Sequence, residues 1–112
     1  MAFGAAQSMV VERRREVRRR VSFGSFIATS DASRFEQCRV HDFSPSGARV
    51  EMGEQAGLPA TVCFLDMRSR LAYEARIAWR KAPEMGLEFL KVYRFDEVPS
   101  LELRGMIEKA CQ

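Results

Sequence analysis

The chain has 112 residues, a hydrophobic fraction of 46% and a net charge of +3 at pH 7. These values fit one small globular domain rather than a disordered, fibrous or multidomain protein. No stretch approaches the roughly 20 consecutive apolar residues of a membrane-spanning helix, and the start, MAFGAAQSMVV, has no basic residue ahead of its apolar ones. Because that order argues against a secretory leader, we expect a cytoplasmic protein.

The positive charge is concentrated in one segment, residues 12–20, which reads ERRREVRRR and is called the arm below. The arm carries six arginines and two glutamates, a charge of +4, while the rest of the chain has 12 basic and 13 acidic residues. Because like charges at this density repel one another, we expect the arm to be exposed, after a flexible lead-in over residues 1–11. A near-neutral body with one basic arm indicates a localised anionic partner.

Six segments after the arm have the composition and alternation of β-strands. They are separated by short polar or Gly- and Pro-containing stretches and cover residues 21–28, 35–43, 48–52, 61–67, 71–80 and 85–92. The clearest strand is LAYEARIAWR, which has one apolar face with period two: Leu71, Tyr73, Ala75, Ile77 and Trp79. We expect Trp79 to pack in the core with this face; the alternative is that it stacks on a nucleotide base.

The hydrophobic period changes near the C-terminus and predicts a helix over residues 100–111. Ser100 is its predicted N-cap, and its apolar face consists of Leu103, Met106, Ile107 and Ala110. Six short strands followed by one helix predict a mainly β fold. We expect a small six-stranded antiparallel barrel over residues 21–92, with the C-terminal helix packed on it, in a single domain of residues 12–112.

Candidate catalytic and metal-binding residues are few. Cys38, Cys63 and Cys111 are widely spaced with no Cys-x-x-Cys pair, and His41 is the only histidine. This composition argues against a zinc site, and the chain contains no phosphate loop or nucleophile elbow. We therefore expect no catalytic residue, no metal and no cofactor, and a binding protein rather than an enzyme.

The arm contains the first motif with a functional signal, Arg-x-x-x-Arg. It occurs twice, as Arg14 with Arg18 and as Arg15 with Arg19. A guanidinium group binds phosphate in a bidentate manner and also matches the O6/N7 edge of guanine. Two arginines on one short arm can therefore contact both the phosphate and the guanine groups of a single ligand.

The second motif is Asp-x-Ser-x-x-Gly, formed by Asp42, Ser44 and Gly47 in a turn between two predicted strands. A carboxylate accepts hydrogen bonds from the N1–H and N2–H₂ groups of guanine, a hydroxyl suits phosphate or a base, and glycine lets a ligand approach the backbone. The alternative for these residues is a capped hairpin turn without a ligand. For the arm, the alternatives are a solvated face or a non-specific contact with nucleic acid.

The order of the arm, a strand pair, the Asp-x-Ser-x-x-Gly turn and further strands resembles the PilZ domain family over residues 12–92. HDFSPSGARVEM is similar to the family's second motif, and ARIAWR followed by MGLEFL is similar to its later strand pair. The resemblance implies a six-stranded split barrel that binds cyclic di-GMP through Arg14, Arg18, Asp42, Ser44 and Gly47. Because the repeated arginines leave the register open, Arg13, Arg15 and Arg19 are further candidates.

The resemblance also implies a role in bacterial second-messenger signalling. A receptor or adaptor of this kind changes conformation on binding cyclic di-GMP and regulates a separate, unidentified effector protein in motility, exopolysaccharide synthesis or biofilm formation, as a monomer or a ligand-dependent dimer. Two other hypotheses stay open: a PilZ-like protein-interaction module without nucleotide affinity, and a small basic barrel that binds nucleic acid. The body lacks aromatic residues interleaved with basic ones, which argues against nucleic acid.

Overall fold

Six strands, one short 3-10 helix and one α-helix make up the part of the chain that the structure describes. The computed structural model describes residues 19–111, with side chains from residue 24 onward. The elements are β1 (Arg19–Ala28), β2 (Phe35–Ser44), β3 (Gly47–Glu51), β4 (Thr61–Asp66), β5 (Leu71–Lys81), β6 (Glu84–Arg94), the 3-10 helix Phe95–Glu97 and α1 (Leu101–Ala110). The predicted lead-in, residues 1–11, and residues 12–18 of the arm lie outside the described residues.

The strands form a closed antiparallel barrel in the order β1-β2-β3-β6-β5-β4, with β4 pairing back to β1. The fold predicted from the sequence is therefore confirmed: it is mainly β, with a six-stranded barrel and a C-terminal helix. The first strand begins at Arg19 rather than at Val21, so it includes the last two arginines of the arm.

The barrel interior contains the first of two apolar clusters. Four aromatic rings pack together within it, with centroids between 4.2 and 6.3 Å apart, and they belong to Phe43, Phe64, Tyr73 and Phe89. The aliphatic members include Ile27, Val40, Val50, Met85 and Leu87, all buried. Burial of apolar surface contributes roughly 25 cal/mol per Å², so this cluster is a main source of stability.

The second apolar cluster lies between α1 and the outside of the barrel. Phe64 points into the barrel, and its neighbour Leu65 therefore points outward, where Leu103 and Ile107 of α1 are buried in the same cluster. Ser100 is the N-cap, as predicted, because its Oγ accepts a hydrogen bond of 3.1 Å from the Leu103 amide. The helix is thus fixed to the outer surface of the sheet.

A register shift in β5 changes the side of the barrel to which Trp79 belongs. Ile77 lies opposite Leu87 and packs on the core, but the pairing shifts before Trp79, which lies opposite Gly86. The extra residue turns Trp79 to the outer face, where it is 43% exposed. The predicted place of Trp79 in the core is therefore wrong.

Candidate functional site

The Asp-x-Ser-x-x-Gly motif forms the hairpin between β2 and β3. Ser44 and Gly47 pair directly across the two-residue turn, and Asp42 pairs with Arg49. The pairing shifts between Val40 and Asp42, and Phe43 then packs against the core. Because of this shift Asp42 belongs to the outer face of the barrel. The structure thus brings the three predicted residues together on one hairpin.

Gly47 is explained by the close approach of β6. A Cβ atom at this position would lie 2.2 Å from the carbonyl oxygen of Leu87, which is backbone and cannot rotate away. Any other residue here would force β3 and β6 apart. The pairing of the two strands is sufficient to require this glycine, and its predicted role in ligand binding stays a prediction.

The hydroxyl group of Ser44 is engaged inside the turn. Ser44 is 3% exposed, and its Oγ lies 3.4 Å from the carbonyl oxygen of Gly47 and 3.4 Å from Oγ of Ser46. This geometry corresponds to the capped turn that was the alternative interpretation of the motif. A rigid turn is compatible with a ligand site, so the ligand contact of Ser44 also stays a prediction.

Arg49 connects Asp42 to Glu84 across three neighbouring strands. Its Nε donates to Oδ2 of Asp42 at 2.5 Å, and its Nη1 donates to Oε1 of Glu84 at 3.0 Å. The hydrogen bond to Asp42, followed by the bond to Glu84, raises the pKa of the guanidinium above its usual value. The Asp42 side chain is only 13% exposed, so the pairing offsets its desolvation and holds the carboxylate in one orientation.

Sequence reasoning did not identify Arg49, although a signal was available. In a hairpin with a two-residue turn, the residues that flank the turn pair with each other, and positions further back pair in register. Counting back from Ser44 and Gly47 puts Asp42 opposite Arg49, as observed. A carboxylate and a guanidinium at such a position form a cross-strand pair.

A shallow groove of about 260 Å³ adjoins this network on the outer face of β3, β5 and β6. It is called the Trp79 groove below, and its lining includes Ser46, Gly47, Arg49, Arg76, Trp79 and Glu88. Nε of Arg76 donates to Oε1 of Glu88 at 2.9 Å along one side of the groove. The groove therefore presents an aromatic surface beside paired charges.

Trp79 lies directly over the backbone of β6. A Cβ atom at Gly86 would lie 2.1 Å from Nε1 of the indole, so the absence of a side chain at Gly86 makes room for the ring. Arg49 is the residue opposite Gly86 on β3. Trp79 and Arg49 thus flank the same glycine, and the exposed indole is available for stacking, the alternative role that the sequence left open.

The arm joins the barrel beside Asp42. Arg19 pairs with Phe43, and Arg20 pairs with Asp42, in the register between β1 and β2. Opposed residues in antiparallel strands have Cα atoms about 4.5–5.5 Å apart. Of the predicted arginine ligands, the structure describes only the backbone of Arg19. The other four lie outside the described residues: Arg13, Arg14, Arg15 and Arg18. The ligand contacts of all five stay predictions.

Burial raises the pKa of the Cys38 and Cys63 thiols to about 12, which favours their protonated forms at neutral pH. All three cysteines are free. Within residues 19–111, no helix has the length and apolar character to cross a membrane.

Comparison of the sequence with known protein families finds a match over most of the chain. The sequence model of the PilZ domain family matches residues 12–98, which include the arm, the hairpin motif and all six strands. No curated protein matches the chain significantly. The matched region contains every residue that the sequence singled out for a ligand.

Proposed function

This chain belongs to the PilZ domain family, whose members are ligand-binding receptor domains rather than enzymes, and on that premise we propose that it is a receptor for cyclic di-GMP. The observation that carries the proposal is the position at which the arm joins the barrel. Arg20 is the backbone partner of Asp42, so the end of the arm and the hairpin motif, which are separated in the sequence, are adjacent in space.

Asp42 is suited to bind a guanine base. Its carboxylate is largely buried and is held by Arg49 at 2.5 Å. A fixed carboxylate that accepts hydrogen bonds from N1–H and N2–H₂ selects guanine over adenine, which has no donor at those two positions. Because the carboxylate is already oriented, little conformational entropy is lost when the base binds.

The described part of the site has too little positive charge to bind the phosphates of the ligand by itself. Arg49 is balanced by Asp42 and Glu84, and Arg76 is balanced by Glu88. This face therefore has little net positive charge to offer the two phosphates of cyclic di-GMP. The arm carries +4, and arginine binds phosphate through bidentate, charge-assisted hydrogen bonds. In our proposal the arm supplies the phosphate contacts.

The size of the Trp79 groove also indicates that the groove and the arm contact different parts of the ligand. Its volume is about 260 Å³, whereas pockets for drug-sized ligands usually have volumes of about 300–1,000 Å³. A cyclic dinucleotide is too large for this groove, and in our proposal a single base stacks on the indole. We propose that one part of the ligand lies over Trp79, that another part reaches Asp42, and that the arm covers the rest.

A site with two components links binding to conformation. In our proposal the arm covers the bound ligand, and binding reshapes the surface next to β1 and the hairpin. We propose that this reshaped surface is what a separate effector protein recognises. Arg14 and Arg18 would contact the ligand, with Arg15 and Arg19 as the alternative register.

Isothermal titration of the full chain with cyclic di-GMP tests the proposal, with GMP and GTP as controls. We expect selective binding of cyclic di-GMP. Arg14→Ala and Arg18→Ala should each weaken it by about 1–3 kcal/mol.

Arg94→Ala is a matched control, because this exposed arginine lies at the far end of β6 from Gly86 and should leave affinity unchanged. Absence of binding would overturn the proposal, and losses at Arg15 and Arg19 instead would move the register by one residue.

A further inference from the structure

Three side chains with metal-ligating atoms meet on the outer face of the barrel. They are His41 of β2, Glu51 of β3 and Glu84 of β6, all half-buried, and their ligand atoms lie within 4.8 Å of one another. We propose that they form a binding site for a divalent transition-metal ion such as Zn²⁺. The three residues are far apart in the sequence, which explains why their spacing predicted no metal site.

The strand register places two like charges side by side. Glu51 and Glu84 are directly opposite in the pairing of β3 with β6, and like charges at such positions destabilise a sheet. Among the described residues, two contacts offset this repulsion: Nε2 of His41 lies 2.8 Å from Oε1 of Glu51, and Arg49 forms an ion pair with Glu84 at 3.0 Å. A divalent cation between the carboxylates would remove the repulsion more completely.

The irregularity in β2 supplies the third ligand. In a regular strand His41 and Asp42 would face opposite sides, but the shift in pairing after Val40 lets both residues face outward. Asp42 then bonds to Arg49, and His41 bonds to Glu51. The shift in register therefore puts an imidazole nitrogen beside the two opposed carboxylates.

The ligand set determines which ions fit. One imidazole and two carboxylates suit first-row divalent ions, whereas a site for Ca²⁺ or Mg²⁺ is usually built from oxygen atoms alone. Zn²⁺ binds such ligands at about 2.0–2.2 Å. Ligand atoms now up to 4.8 Å apart would need small rotations of side chains that lie at the surface, and water would complete the coordination.

Arg49 competes with the metal for Glu84. Its guanidinium donates to the same carboxylate and repels a cation by its charge. In our proposal metal binding weakens the contact between Glu84 and Arg49, while Asp42 keeps its own bond to Arg49. This competition gives the site a signature that an isolated surface histidine lacks, because removal of Arg49 should tighten metal binding.

Titration of the full chain with ZnCl₂, measured by competition with a chromophoric chelator, tests the site. We expect one ion per chain, an affinity loss of at least about tenfold in His41→Ala and in Glu51→Gln, and a gain of several fold in Arg49→Gln. Glu88→Gln is the matched control, because this carboxylate lies on the same face of β6 outside the cluster, and it should leave the affinity unchanged.

Broadening of amide NMR signals by Ni²⁺ in the unmodified chain provides a second readout that needs no variant. Broadening centred on His41, Glu51 and Glu84 would support the site. Broadening centred on Cys111, or Zn²⁺ affinity that is unchanged in His41→Ala and is lost in Cys111→Ser, would overturn it. An affinity that does not rise in Arg49→Gln would also contradict it.

Discussion

Arg49 has the central position among the residues of the candidate site. It bonds to Asp42 on one side and to Glu84 on the other, so the orientation of the predicted guanine-binding carboxylate depends on it. Ser44 and Gly47 contribute differently, since one closes the turn through its hydroxyl and the other admits the carbonyl of Leu87. The hairpin motif therefore has a structural basis that is independent of any ligand.

Trp79 is the single tryptophan of the chain, so intrinsic fluorescence reports on the groove. Because the indole is 43% exposed, a guanine base stacked on it should quench its emission. We expect saturable quenching when the full chain is titrated with cyclic di-GMP. Trp79→Ala should weaken binding by about 1–3 kcal/mol, as measured by isothermal titration.

Trp79→Phe is the control for this experiment. It retains a flat ring over Gly86 and should retain most of the affinity while the fluorescence signal disappears. If saturating cyclic di-GMP leaves the emission of the unmodified chain unchanged and Trp79→Ala binds normally, the ligand does not contact the groove.

The sequence identified part of this site, for reasons that can be stated residue by residue. Asp42, Ser44 and Gly47 were recognised as a turn motif because turn chemistry is local and depends on residue type, and the resemblance to PilZ domains made them ligand candidates. Trp79 was assigned to the core by continuing the period-two alternation along the strand. That alternation holds only while the register is regular, and the shift after Ile77 has no local signature in the sequence. Glu84 could not be found, because its contact with Arg49 depends on the pairing of β3 with β6.

Glycines on two paired strands determine how closely the elements of the site pack. Gly47 of β3 lies against the backbone of β6, and Gly86 of β6 lies under the indole of β5. Their missing side chains let the hairpin, β6 and β5 form one continuous outer face. The geometry of the groove therefore depends on strand spacing as well as on the residues that line it.

We expect Gly47→Ala to destabilise the barrel by about 2 kcal/mol or more, because the new Cβ would overlap a backbone carbonyl. Urea unfolding followed by circular dichroism measures this change. Gly53→Ala is the control, because a Cβ there has no atom within 4 Å, and its unfolding free energy should be nearly unchanged. Equal stabilities of the two variants would show that β3 and β6 tolerate separation.

The helix provides a second prediction about stability. Leu103 is 2% exposed in the cluster between α1 and the barrel, so Leu103→Ala should cost about 2–5 kcal/mol in urea unfolding. Leu101, in the same helix, is 72% exposed, and Leu101→Ala should cost far less. Similar losses in both variants would mean that the helix contributes by its intrinsic propensity and not by packing.

The strands and the helix were predictable because the hydrophobic pattern of each repeats over more residues than a bulge or register shift disturbs. The strands were found from alternation, and α1 was found from Ser100 and an apolar face of period 3.6. The strand order and the closure of β4 onto β1 were not deducible from periodicity, since they depend on contacts between distant segments. The number of short strands indicated a barrel, and the resemblance to a known family implied the same fold.

The molecule as a whole combines a barrel that carries little net charge with a basic segment attached at one point. The arm holds +4 of charge, and its last residue pairs with Asp42. An anionic ligand at this junction would contact both parts at once. The two halves of the site should therefore depend on each other for affinity, whereas two independent anion sites would not.

A double-mutant cycle between Arg18→Ala and Asp42→Asn, with cyclic di-GMP affinity measured by isothermal titration, examines this dependence. Independent sites give free-energy changes that add within about 0.3–0.5 kcal/mol. If the arm and the hairpin bind one ligand molecule together, the double variant will depart from additivity by more than that, while a cycle of Arg94→Ala with Asp42→Asn will be additive. Additivity in the Arg18 cycle as well as in the Arg94 cycle would contradict a shared site at the junction of the arm and the barrel.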